Sequence, residues 1–162
     1  KSALKEAMSR VRSTRTLYEK LLIGKGHVEV SMKEYLESLI DSLVDVFNNL
    51  PSVTVEKRIV DFPLNAKRAI PVGIILNELL TNVLKYAFTG RDGGYVSIEL
   101  NKTKTQITLT VTDDGVGIDK RVEANKSPGF GLTLVNMLAE QLKGTFSIES
   151  DNGTRSVVEF ET

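Results

Sequence analysis

Apolar and polar residues recur along the chain with two different periods, and the points where one period gives way to the other delimit its elements. Leu4, Met8, Val11, Tyr18 and Leu22 follow the spacing of a helical stripe over residues 2–22, interrupted at Arg15. Gly24 and Gly26 break that helix and set it apart. Its apolar stripe needs a partner, either another helix of a dimerisation bundle or the body of its own domain. Ser31 with Glu34 forms a capping box, and Tyr35, Leu36, Leu39, Ile40, Leu43, Val44 and Phe47 continue an amphipathic helix to about Asn49, stopped by Pro51. Val53, Val55, Ile59 and Val60 predict a strand. Asn65 is placed to cap a second long helix that runs to about Phe88, with a kink allowed at Pro71.

Beyond Gly93-Gly94 the period changes to two. Tyr95 to Leu100 and Ile107 to Thr112 alternate as half-buried strands do. A loop without a period follows, then a helix over residues 131–142. Thr145 to Glu149 and Ser156 to Phe160 predict a closing hairpin turned at Asp151-Asn152-Gly153. No internal repeat or low-complexity stretch interrupts this order.

Composition narrows the chemistry. At 162 residues and 41% hydrophobic, the chain suits one core with a small appendage. Its 21 Lys and Arg balance 21 Asp and Glu, which argues against nucleic acid or a membrane surface as partner. Without cysteine there is no disulfide or thiolate chemistry, and one histidine, His27, makes a zinc site improbable. His27 stands beside two glycines in an expected turn, so we read it as a surface residue rather than a phosphoacceptor. No stretch approaches the roughly 20 apolar residues of a membrane span. A cytoplasmic fragment of a longer protein is the expectation.

Three groups of residues carry candidate chemistry. Glu78, Asn82 and Lys85 share one face of the second long helix, opposite Leu76, Leu79, Leu80, Val83 and Ala87. An amide oxygen suits magnesium, and a lysine nearby offsets phosphate charge; a solvated face with an ordinary ion pair is the plainer alternative. Asp113 falls in phase with Ile107, Leu109 and Val111, so it belongs to the buried face of its strand, where a purine amino group could partner the carboxylate. The same Asp113-Asp114-Gly115 also makes a respectable turn. Gly115 and Gly117 permit close approach to a flat ligand, and Gly129-Phe130-Gly131 precedes a helix whose free N–H groups favour an anion, although a lone Gly-x-Gly is more often a loop.

Together the groups say more. Asn77-Glu78-Leu79-Leu80-Thr81-Asn82 with Lys85-Tyr86, then Asp113 to Ile118, then Gly129 to Leu132, then Gly153-Thr154 resemble, in order and interval, the ATP-site boxes of histidine kinases over residues 65–162. The wider superfamily includes DNA gyrase, mismatch-repair ATPases and heat-shock-90 chaperones. Ile70 to Phe88 is similar to the sensor-kinase branch with glutamate in its first box, and residues 10–22 resemble the end of that branch's dimerisation region.

The resemblance implies an α/β fold, a two-layer sandwich of a mixed, mostly antiparallel sheet with helices on one face, plus an N-terminal helix. Residues 1–26 would be the end of a dimerisation helix and its linker, and 27–162 the ATP-binding catalytic domain. It implies Mg-ATP as ligand, with Asn82 holding magnesium, Asp113 on the adenine amino group, Gly129 and Gly131 anchoring a lid, and Thr154 on the adenine side. Tyr86, Gly115, Gly117, Ile118, Phe130 and Leu132 are expected at the same site, with Glu78 and Lys85 as its catalytic pair. A homodimer and a downstream response regulator are the partners implied, and the acceptor histidine would lie upstream of residue 1. The segment from Asp119 to Pro128 is short for such a lid and lacks an evident phenylalanine box. Two rivals stand beside this reading: a gyrase-type ATPase with Glu78 as base, and a nucleotide-binding regulatory module without catalysis.

Overall fold

The computed structural model describes residues 29–47, 52–118 and 130–162. The expected helix over residues 2–22, His27, the segment 119–128 and Gly129 therefore lie outside the described residues.

Helix α1 spans Met32–Val46. Its start is held as the pattern predicts, with the Ser31 hydroxyl accepting from the Glu34 N–H at 3.2 Å. Asp61 adds a second acceptor, taking the Ser31 hydroxyl at 2.7 Å and the Lys33 N–H at 3.3 Å. Helix α2 spans Ala66–Asn82, capped by the Asn65 side chain accepting from the Lys67 N–H at 3.0 Å. It continues through Pro71, although proline cannot donate to the preceding turn. A single helix to Phe88 was expected; instead the turn widens to π over Val83–Ala87. The Ala87 carbonyl, where a helix would otherwise continue, accepts from the Val116 N–H at 2.8 Å. Helix α3 spans Phe130–Gln141.

The strands are β1 (Glu29–Ser31), β2 (Ser52–Ile59), β3 (Pro63–Asn65), β4 (Gly93–Lys102), β5 (Gln106–Asp113), β6 (Thr145–Glu149) and β7 (Thr154–Glu161). Five form one sheet in the order β2-β4-β5-β7-β6, and β1 pairs with β3 separately. Only β2 and β4 run parallel within the larger sheet; its other pairs are antiparallel. The α/β sandwich with a mixed, mostly antiparallel sheet is thus the observed fold. The β1–β3 pair was not expected, since three residues are too few to show a period.

Packing follows the alternation. Ile107, Leu109 and Val111 of β5, Ile98 and Leu100 of β4 and Val158 of β7 are fully buried beneath α1, α2 and α3. Thr108, Thr110 and Thr112 lie on the opposite, half-buried face. Between α1 and α2, Tyr35 seats in a notch at Gly73, where an added Cβ would stand 1.8 Å from the phenol oxygen. Burial raises the Tyr35 phenol pKa above its ordinary range.

Candidate functional site

Where α2, the π turn and the start of α3 lean over the ends of β5, β6 and β7, a cavity of about 510 Å³ opens. That volume suits a drug-sized or nucleotide-sized ligand. One wall is the polar face of α2. Glu78 is buried, while Asn82 and Lys85 are half-buried, and all three line the cavity as their helical spacing predicts. Burial lowers the Lys85 ammonium pKa. Tyr86 also lines the cavity but is 63% exposed, because the π turn keeps Val83, Leu84 and Ala87 buried and turns the tyrosine outward.

The opposite wall comes from the sheet. Asp113, the last residue of β5, is 4% exposed and on the buried face, as its phase requires. It also makes the turn, accepting the Gly115 N–H on Oδ1 at 2.9 Å, so the two sequence readings describe one residue. Thr154, its register partner on β7, donates to it from both backbone and side chain. Burial raises the Asp113 pKa; the Gly115 and Thr154 hydrogen bonds oppose the rise, and the Asp114 charge adds to it. Asp114 itself points outward, accepting the Tyr95 N–H at 2.8 Å with Arg91 at 3.7 Å. A buried carboxylate held open on a cavity wall is suited to accept from a ligand amino group.

The ends of the cavity are backbone. Gly117 has φ +72° and lines the wall; a Cβ there would meet the Ser150 hydroxyl at 2.6 Å. Ser150 was not anticipated, yet its Oγ accepts the Ile118 N–H at 2.8 Å and donates to the Gly153 carbonyl at 3.1 Å, tying the loop after β5 to the β6–β7 turn. Gly131 faces α2 so closely that an added Cβ would stand 2.8 Å from Glu78 Oε2 and 3.9 Å from Asn82 Nδ2. Phe130 and Leu132 flank it on the cavity wall. Gly115 is not on the wall: its missing side chain makes room for the Ala87 carbonyl, 2.4 Å from a built Cβ. Asn77 and Thr81, quoted in the first box but given no role of their own, also line the cavity, as do Ile148 and Ser156, which carried no site expectation. For Ile148 and Ser156 the signal was there, since each pairs with the other across β6 and β7 on the inward phase.

Residues 68–162 match the family described as histidine kinase-, DNA gyrase B- and HSP90-like ATPase. The chain belongs to that family. As a member of these ATPases it binds ATP. A second family, described as histidine kinase, matches residues 1–47. Blue-light-activated histidine kinase 2 of Erythrobacter litoralis is 25% identical over 158 residues, covering 94% of this chain and 45% of that protein. Sensor histidine kinase PdtaS of Mycobacterium tuberculosis is 26% identical over 166 residues, 98% of this chain and 32% of that protein. The chain spans less than half the length of these curated relatives. The solved histidine kinase domain of Erythrobacter litoralis EL346 superposes with a TM-score of 0.87 at 22% identity, over 96% of this chain and 74% of that one, a likeness of fold. The fold is that of this solved histidine kinase domain, and residues 68–162 are the ATP-binding domain of the family.

Proposed function

We propose that the cavity binds Mg-ATP and delivers the γ-phosphoryl group to a histidine upstream of residue 1, in a protein that works as a homodimer and passes the phosphoryl group to a response regulator. Supporting this reading above all is the arrangement of Asp113 on one wall and Glu78, Asn82 and Lys85 on the other, across one cavity. Asp113 accepts from the adenine amino group, with Thr154 holding the carboxylate and Gly117 and Ile118 closing that end. The phosphates lie toward Lys85 and the start of α3, where free N–H groups, the helix dipole and the ammonium offset their charge. Gly131 keeps that approach clear of a side chain, and Phe130 and Leu132 belong to the same end.

Magnesium fits the donor set. Among the described residues no three His, Cys, Asp or Glu side chains gather as a metal cage. The Asn82 amide oxygen would hold the ion together with phosphate oxygens, the mode magnesium favours, and the bound ion would screen the γ-phosphate. Glu78 orients the group that meets the γ-phosphate. Phosphoryl transfer asks mainly for positioning and charge neutralisation, which this set of residues supplies.

The dimerisation role belongs to residues 1–26, and the catalytic domain to 27–162. No helix among the described residues is long and apolar enough to cross a membrane. A cytoplasmic setting follows from the use of ATP and a response regulator.

Calorimetry of ATP with magnesium tests the reading. Wild type should bind, and Asp113→Asn should lose at least about tenfold in affinity, because the amide presents a donor to the adenine amino group. Equal affinity of the two proteins would overturn the adenine assignment.

A further inference from the structure

Three neighbouring polar side chains of α2 are buried against the cavity: Asn77 at 3%, Glu78 at 5% and Thr81 at 8% exposed. A helix that only had to cover the sheet would carry apolar residues there, since buried polar groups are tolerated where they are hydrogen-bonded. Asn77 answers to this rule, donating from Nδ2 to Glu78 Oε1 at 3.4 Å. Thr81 does not. Its Oγ1 is fully buried and has no hydrogen-bond partner among the described residues. A helical threonine ordinarily returns its hydroxyl to the carbonyl four residues back, here that of Asn77, and this bond is absent.

Position says what the hydroxyl serves. Thr81 follows Asn77 by four residues and Glu78 by three, so it shares their flank of α2. Leu79 and Val83 take the other flank, and Asp113 and Thr154 come from the sheet wall. The unsatisfied hydroxyl thus belongs to the Glu78 end of the cavity. Threonine in a helix divides between two χ1 rotamers, so a rotation about Cα–Cβ exchanges methyl and hydroxyl at the wall.

We propose that Thr81 is a positioning residue for phosphoryl transfer: its hydroxyl donates to a water that in turn donates to the Glu78 carboxylate, fixing Glu78 toward the reacting phosphoryl group. The Asn77 amide oxygen, on the same flank of α2 and lining the same cavity, would give that water its third partner, and two to four partners are what a buried water requires. The inference rests on the reading that Glu78 acts on the transferring group, and it adds no covalent step.

The test uses the protein carrying its upstream histidine, comparing wild type, Thr81→Val, Thr81→Ser, Glu78→Gln and the Glu78→Gln/Thr81→Val double variant. Thr81→Val should slow autophosphorylation about tenfold while leaving the KM for ATP within about twofold, and Thr81→Ser should restore the rate. Its melting temperature should stay near that of wild type, because the hydroxyl it removes makes no hydrogen bond to another protein group. The double variant should be no slower than Glu78→Gln alone. A wild-type rate in Thr81→Val overturns the proposal, as does additivity in the double variant. Weakened ATP binding with an unchanged maximal rate assigns the hydroxyl to the nucleotide instead, and also overturns it. If Glu78→Gln transfers at the wild-type rate, the underlying reading of Glu78 falls, and the proposed water with it.

Discussion

Asp113 and Asp114 are chemically alike and adjacent, yet the fold gives them opposite fates. Asp114 meets the surface and Asp113 ends the inward phase of β5. For Asp113 the folded-state pKa lies above the ordinary value of 3.8, and burial is the largest cause. The sign follows directly: its contribution to stability is fully present below the unfolded pKa and is lost as pH rises through the folded one. Asp113→Asn does not titrate. In denaturant unfolding at a series of pH values, the variant should therefore gain on wild type as pH rises from about 3.8, level once Asp113 is ionised. A constant difference across that range would show that burial does not strain the carboxylate. At Gly131 the constraint is steric: Gly131→Ala should displace the Glu78 carboxylate and weaken transfer while leaving the fold intact, as circular dichroism and autophosphorylation would report together.

At the scale of elements, α2 is the critical piece, and its seat depends on a notch. Gly73→Ala improves helix propensity by up to about 1 kcal/mol, but the new methyl collides with the Tyr35 phenol on α1. Overpacking should win, with a net loss on the order of 1–3 kcal/mol in urea unfolding. The caps at Ser31 and Asn65, the β5 alternation and the closing hairpin were all legible in the sequence, because each depends on side chains a few residues apart. What was not legible depends on distant partners. Asp61 reaches the start of α1 from 30 positions beyond Ser31. The π turn ends at a carbonyl claimed by Val116, and Gly115 serves that contact rather than the ligand. Helical and strand periods put Glu78, Asn82 and Asp113 on the cavity-facing sides of their elements, while the roles expected of them came from the motif resemblance. Thr81 was given no role within its box, and Ser156 no place at the site, because a hydroxyl on an inward face has no signature until its surroundings are known.

For the whole molecule, the cavity lies where α2, α3 and the ends of β5, β6 and β7 meet, so a ligand there links pieces distant in the chain. Binding to the folded state alone adds about 2.7 kcal/mol at a hundredfold excess over Kd. Melting should then rise on the order of 10 °C with Mg-ATP at that excess, and differential scanning fluorimetry should find a clearly smaller rise in Asp113→Asn at the same concentration. The parallel pairing of β2 with β4 carries a different consequence. Since those two strands are joined through β3 and α2, the helix that carries Glu78 and Asn82 is the crossover between them. Crossovers close late, because the chain must span its longest loop before the parallel pair rewards it. The local antiparallel β4–β5 hairpin is thus expected to pair before β2 docks and seats the helix of Glu78 and Asn82. The nucleotide site therefore depends on a pairing between strand positions 41 residues apart, Ser52 with Gly93.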